Sequence, residues 1–282
     1  PLTVILRSVR WRWLLPAGGH LPLSSFIGAY LVGNLANSLL LGKFGDLVKA
    51  KLICDSKVDY GRSVTVVVID RLFEGTALIL IFAAVLLTSS LPGWAYELAW
   101  IAGGAAIGAL VTLRIIFHHQ VRFLNAAERV LNRLPVRWAG KLMVAVRGLV
   151  AGCEVLADYR RMRFAFLYAL AVWGVEVLGV MAFLAAFSIP VPRLLAAVVL
   201  IVVVNLGMLV PITPGSVGVY QLLCAFALAL WGVNRQVAFA LGIAMQTVNF
   251  VPMYAAGLVA MLLLKRSGRT RATAAAVPEQ CL

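Results

Sequence analysis

Asp70, Arg71 and Glu74 interrupt one apolar run of this chain, and Glu176 stands alone in another. A charge at membrane depth is costly, so it faces a polar cavity or a partner of opposite sign. Asp70 and Glu74 are four residues apart and share a helix face, while Arg71, three residues before Glu74, can pair with it. Two readings follow. One is an ion pair that anchors a helix end; the other is a head-group or counter-ion site shared with Lys43, Asp46 and Lys49. Glu176 has apolar neighbours for a full turn on either side. Its carboxyl is then either protonated or matched by an arginine such as Arg71.

A second set of polar residues falls where apolar segments break. The first break reads Gly33-Asn34-Leu35-Ala36-Asn37, then Gly42-Lys43-Phe44-Gly45-Asp46. The second has Asn205, then Pro211-Ile212-Thr213-Pro214-Gly215-Ser216-Val217-Gly218, ending at Gln221. Lipid offers backbone groups no hydrogen bonds, so broken helix at membrane depth must lie inside protein or beside a polar cavity. A pair of such breaks, one per half, points to a transport site. Thr213, Gly215 and Gly218 would let backbone amides approach an anionic group at a helix start; the plain alternative is a turn between two helices. Asn205, Tyr220, Gln221, Gln246 and Asn249 are candidates for bonds between helices. His118-His119 has no third ligand nearby, and no catalytic triad, phosphate-binding loop, haem or zinc spacing is present. The four cysteines, Cys54, Cys153, Cys224 and Cys281, form no metal-ligand spacing. The expectation is a protein without catalytic residues, metal or cofactor, and not an enzyme.

The elements that must position these residues are membrane helices. The chain has 282 residues, 62% hydrophobic and only 13% charged, with mean hydropathy +0.96. A soluble domain carries about 25% charged residues. The net charge of +14 sits between apolar runs, which is the cytoplasmic bias of loops and not a nucleic-acid patch. The reading is all-α: a polytopic transmembrane bundle over residues 1–264, followed by a basic, disordered cytoplasmic tail over 265–282. Residues 1–20, starting at Pro1 without Met, read as the cytoplasmic end of a helix that begins upstream. Residues 43–62 and 118–163 are basic cytoplasmic loops, the second carrying an amphipathic pattern at Leu142, Val146, Leu149 and Val150. Spans are expected over 63–88, 98–117, 164–187 and 236–264.

Parity of charge adds a constraint. Both 1–20 and 43–62 are basic, with one apolar segment between them, so residues 21–42 read as a re-entrant hairpin with Gly33, Asn34 and Asn37 at its tip. The arms 194–210 and 217–231 reach roughly 22–26 Å, short of a ~30 Å hydrocarbon core. They form two short spans or a second hairpin entering from the other face. The hairpin version makes the fold an inverted repeat.

At these residues the chain resembles the lysylphosphatidylglycerol synthase transmembrane-region family of flippase-like membrane proteins. One family block is similar to Asn37 through Lys49, a second to Asp70-Arg71-Leu72-Phe73-Glu74, and a third to Pro211 through Gln221. With the upstream Arg10-Trp11-Arg12, the likeness covers nearly the whole chain. Leu41 replaces a proline, Asp46 a glutamate, Lys49 an arginine and Gln221 a glutamate of the family pattern. The resemblance implies the translocating membrane part without the soluble aminoacyl-transferase domain, in a bacterial inner membrane; the basic loops and tail put the C-terminus in the cytoplasm. It implies a substrate such as an anionic phospholipid or a polyprenyl-linked lipid. The residues and the resemblance together give the binding set Asn37, Lys43, Asp46, Lys49, Asp70, Arg71, Glu74, Glu176, Asn205, Thr213, Gly215, Gly218 and Gln221. The competing expectation is a non-transport scaffold for a glycosyltransferase or lipid-modifying enzyme, docking through the 118–163 loop.

Overall fold

The computed structural model describes residues 2–15, 21–39, 44–54, 58, 60–87, 93–131, 143, 146–208 and 213–266. Every regular element among them is helical. We number the helices α1 (Leu2–Leu14), α2 (Leu23–Leu39), α3 (Gly45–Ile53), α4 (Tyr60–Leu86), α5 (Gly93–His118), α6 (Gln120–Leu131), α7 (Tyr159–Ala186), α8 (Arg193–Gly207), α9 (Val219–Leu228) and α10 (Arg235–Arg266). A further helical stretch over 146–152 leads into a 3-10 turn, Cys153–Ala157. The structure is an all-α bundle.

Residues 99–118 of α5, the whole of α7, and α10 from Arg235 to Lys265 are long and apolar enough to cross a membrane. α4, with 27 residues, is about 40 Å long, but carries Arg62, Asp70, Arg71 and Glu74. α8 is apolar on all sides and is buried without interruption from Ala196 to Val204, the pattern of a helix enclosed by others. Valine and isoleucine favour strands in water. In a span each N–H and C=O must bond within its own segment, and helix wins.

Two packed cores result. One gathers the second half of α4 with α7, α8, α9 and α10 around Trp173, Leu200, Leu228 and Leu241. The other gathers α1, α2, α3, the first half of α4 and the 153–156 turn around Trp11, Phe26, Ile53 and Ile69.

The chain repeats itself in helix order. A medium helix, a short helix and a long helix (α2, α3, α4) recur as α8, α9, α10. One constant offset along the sequence carries the start of α3 onto that of α9, and the start of α4 to within a residue of that of α10. Each short helix crosses its predecessor at a glycine. A methyl group on Gly33 would lie 2.7 Å from the Gly45 carbonyl oxygen and 2.9 Å from Lys49 Cβ; one on Gly207 would lie 2.5 Å from the Leu223 side chain. Gly33 precedes Lys49 by as many residues as Gly207 precedes Leu223. The packing is reciprocal: α2 lies on α10, α8 lies on α4, and α1 lies on α7.

Two expectations are corrected. Gly33, Asn34 and Asn37 do not form a tip: α2 is helical throughout, and the two arms of the first hairpin are α2 and α3. The Asn34 side chain satisfies itself on the Tyr30 carbonyl, 2.8 Å away and one turn back, so a polar residue here does not interrupt the helix. Residues 2–14, read as the end of a helix, are helical, but Arg10 and Trp11 are buried, so the parity argument counted arginines that are not loop charges. The 118–163 stretch, where an amphipathic helical pattern was expected, is helical over 146–152. α6 is exposed, yet Val150, Cys153, Val155 and Leu156 belong to a core. The expected arms 194–210 and 217–231 are α8, roughly 22 Å long, and α9 with the 3-10 turn Ala229–Trp231 that continues it, together roughly 21 Å. Leu142, Lys43 and residues 267–282 lie outside the described residues.

A buried charge network at the first hairpin

The site grows from α1, α3, α4 and α7. On α1, Arg7 and Arg10 are three residues apart and share a face. Arg10 has a side-chain exposure of 0%: its Nε donates to Asp70 Oδ1 at 2.6 Å and its Nη2 to Glu74 Oε1 at 2.7 Å. Arg7 Nε lies 3.4 Å from Glu74 Oε1, and Arg7 Nη2 lies 3.8 Å from Glu176 Oε1. Arg7 also donates to the Tyr30 hydroxyl at 3.2 Å and sits 5.8 Å over the Trp173 ring.

The hairpin supplies the other side. Arg71 on α4 holds Asp46 on α3 with two donors, Nε to Oδ2 at 3.1 Å and Nη2 to Oδ1 at 2.9 Å, and reaches Glu74 Oε2 at 3.0 Å. The forked geometry is the strong form of an arginine–carboxylate pair. Lys49 Nζ is 3.0 Å from Asp46 Oδ1, between the rings of Trp11 and Tyr30. Asn37 fixes the start of α3: its Oδ1 accepts the Gly45 N–H at 2.8 Å. The close glycine contact is what brings Asp46 and Lys49 within reach of α2.

Asp46, Asp70 and Glu74 are thus each gripped by at least one cation at 3.1 Å or less, and Glu176 is held, among the described residues, by Arg7 alone at a longer distance. Buried charges of this kind need such pairing to persist. Arg10 Nη1 is buried with no hydrogen-bond acceptor among the described residues, and Arg7 Nε, also without a hydrogen bond, has only the ion-pair contact to Glu74 at 3.4 Å; Trp11 Nε1 and Ser63 Oγ are likewise buried without a hydrogen bond. At the network's edge, the Arg71 side chain is 36% exposed and Glu176 34% exposed. The arrangement offers spare cationic donors, a reachable guanidinium and a weakly held carboxylate. That chemistry suits an entering anion.

The second break is neutral. Gln221 is buried; its Oε1 accepts the Gly218 N–H at 2.7 Å and its Nε2 donates to Gln246 Oε1 at 2.5 Å. Gln246 Nε2 donates to the Gly215 carbonyl at 2.8 Å. Gly215 and Gly218 have φ of +63° and +85°, which glycine adopts without strain. Thr213 Oγ1 donates to the Val217 carbonyl at 3.0 Å. The turn Pro214–Ser216 packs against α2, so the two breaks adjoin.

Of the sequence-predicted residues, Asn37, Asp46, Lys49, Asp70, Arg71, Glu74 and Glu176 come together in the charged cluster. Thr213, Gly215, Gly218 and Gln221 come together in the neutral one. Asn205 and Asn249 donate to carbonyls one turn back in their own helices, both at 2.8 Å; of the candidate interhelical bonds, Gln221–Gln246 is the one formed. The sequence reading missed Arg7 and Arg10 as partners of the carboxylates. The signal was present: two arginines at helical spacing among apolar residues and tryptophans. Glu176 is matched by Arg7, not Arg71.

The family model for the lysylphosphatidylglycerol synthase TM region matches residues 2–277. No curated protein and no solved structure matches the chain.

Proposed function

From the premise that this chain belongs to the lysylphosphatidylglycerol synthase TM-region family, a family of membrane domains, we propose that it binds the anionic head group of a lipid at the Arg7–Arg71–Glu176 edge and moves it between leaflets. The chain is a multi-pass membrane protein. In this reading it makes and breaks no covalent bond, needs no cofactor, and works in a bacterial inner membrane with its C-terminus in the cytoplasm. The substrate is an anionic phospholipid or a polyprenyl-linked lipid whose tails stay in the bilayer.

The observation that carries the reading is the buried Arg10 Nη1 without an acceptor, with Arg7 Nε held only by a 3.4 Å ion pair, behind Arg71, whose side chain is about a third exposed. A buried cationic donor left without an acceptor is costly, and a phosphate oxygen is an acceptor of the right charge. The Gln221–Gln246 clasp, adjoining the charged cluster through α2, adds no charge that would compete for the head group. The repeated helix order fits two halves that rock against each other.

Leaflet exchange of labelled phosphatidylglycerol in proteoliposomes tests this. Wild type exchanges the lipid; Arg71→Ala and Gly215→Leu abolish exchange while inserting normally. Undiminished exchange in Arg71→Ala removes the site from the mechanism. The scaffold alternative draws on α6, an exposed amphipathic helix. It gains the field if changes in α6 disable the pathway and changes at Arg71 do not.

A further inference from the structure

We propose that the end of α5 carries a second lipid site, separate from the Arg7–Arg71–Glu176 edge: Arg114, His118 and His119 hold the phosphate of one resident anionic phospholipid, whose acyl chain lies along Ile107 and Val111.

Arg114 and His118 are one turn apart on α5 and share a face. Helical hydrogen bonds run on through the junction with α6. The His119 N–H donates to the Ile115 carbonyl and the Phe123 N–H to the His119 carbonyl, both at 2.9 Å. The three polar side chains thus stand on one continuous helical segment. With Val111, Ile115 and Phe117 they line a concavity of about 610 Å³, bounded on its other side by Ala157. No side chain of the first charge network lines it. The turn that ends at Ala157 packs on α5 and is anchored by the buried Cys153, Val155 and Leu156. Arg114 Nη1 donates to the Leu156 carbonyl, which ties the guanidinium to that wall and uses one of its donors.

Charge selects what enters. Among the described residues Arg114, His118 and His119 form no ion pair. The carboxylates beside the turn are taken, Glu154 by Arg62 at 2.6 Å and Asp158 by Arg161 at 3.0 Å. Glu128 stands more than two turns further along α6. From 114 to 163, ten Lys and Arg stand against these three carboxylates. The part of that stretch outside the described residues, 132–142, adds only basic charges, Arg133, Arg137 and Lys141.

Position makes the anion a lipid. The apolar span Ala99–His118 ends here, so the cations stand at head-group depth, where basic pockets beside a span hold anionic lipid heads. On the span side of Arg114, the exposed Ile107, Val111 and Ile115 recur every four residues, which makes one apolar track along the helix. Beyond His119, α6 is amphipathic, with Arg122 and Arg129 seven residues apart on one side, the pattern of a helix that lies in the interface. A soluble phosphate would use the cations and leave the track bare; a diacyl phospholipid uses both.

The test places the whole protein in phosphatidylcholine nanodiscs with a trace of phosphatidylglycerol that carries a photoactivatable diazirine near its head group. Mass spectrometry maps the labelled residues. In wild type, label falls within 107–119; unlabelled phosphatidylglycerol competes for it, while added phosphatidylcholine and glycerol 3-phosphate do not. Arg114→Gln lowers that labelling about fivefold, the worth of one cation at a lipid surface, and Arg114→Lys restores most of it. His118→Gln also lowers it; this change is to an exposed side chain and reads the site even where Arg114→Gln fails to fold. Arg71→Ala leaves it unchanged. Equal competition by phosphatidylcholine would reduce the site to ordinary boundary lipid, and competition by glycerol 3-phosphate would make it a site for soluble phosphate. Either result overturns the proposal, as does label that is absent from 107–119 or unmoved by both the Arg114→Gln and His118→Gln changes.

Discussion

Replacing Arg10 by methionine separates the structural work of the charge network from its binding work. The side chain is wholly enclosed, and methionine fills most of its volume without its charge. The change removes two short charge-assisted bonds, at 2.6 and 2.7 Å. The two acceptors do not suffer equally. Glu74 keeps Arg71 at 3.0 Å and Arg7 at 3.4 Å; Asp70, 8% exposed, loses the cation that held it. Breaking a buried pair on one side costs about 3–5 kcal/mol, because the remaining charge stays buried. For a chain of this size that corresponds to a fall in Tm of roughly 6–20 °C. Thermal unfolding in detergent, followed by tryptophan fluorescence with Trp11 and Trp173 as local reporters, measures it. The decisive comparison is the double variant Arg10→Met with Asp70→Asn, which removes the orphaned charge. It should be more stable than Arg10→Met alone, with a coupling energy of about 2–3 kcal/mol. A Tm for Arg10→Met within a degree or two of wild type, or a double variant whose loss is the sum of the single losses, would refute the argument that Asp70 depends on Arg10.

Gly45→Ala should disrupt the first hairpin, since its methyl group would overlap the Gly33 carbonyl and Asn37; the cost is at or above the upper end of about 1–3 kcal/mol. Gly75→Ala, in the interior of α4 with nothing within 4 Å of the added methyl group, should melt at or above wild type in the same assay, by up to about 1 kcal/mol of stability. Gln246→Leu leaves the buried Gln221 amide and the Gly215 carbonyl without their partner, a loss of about 1–3 kcal/mol. A cysteine placed at Ser216 should then be labelled faster by a water-soluble maleimide. Asp158 caps α7 by accepting the N–H groups of Arg160 and Arg161. Its carboxyl is held below the ordinary 3.8, first by the Arg161 backbone N–H. A lowered value means stabilisation that is complete above the ordinary one and lost as pH falls through the lowered one. Asp158→Ala should therefore melt below wild type at neutral pH, and the two curves should converge in strong acid.

Much of this molecule was readable from the chain alone. The apolar runs fixed a helical membrane protein, because only helix satisfies every backbone group without water. The one-turn spacing of Asp70, Arg71 and Glu74 put three of the network's charges on one helix, and Pro211 to Gly218 announced the second break through residues that need positive φ or lack an N–H. The family likeness extended along the same residues and is borne out by the match to residues 2–277.

What the sequence could not convey is which charges meet. Arg7 and Arg10 looked like loop charges because positive residues beside an apolar run are usually at the membrane surface; their burial depends on carboxylates sixty or more residues away. Gly33 looked like a break because glycine and asparagine often end helices, yet the helix runs on and the glycine serves a crossing that only packing reveals. The asymmetry of the two halves is likewise tertiary. The constant offset that maps Asp46 onto Tyr220 and Arg71 onto Met245 pairs a charged half with a neutral one. Local spacing decides the helices, since their bonds close within four residues. Partner choice among buried charges is decided by the whole fold, since Coulomb attraction in a medium without water acts on whichever charges packing brings close.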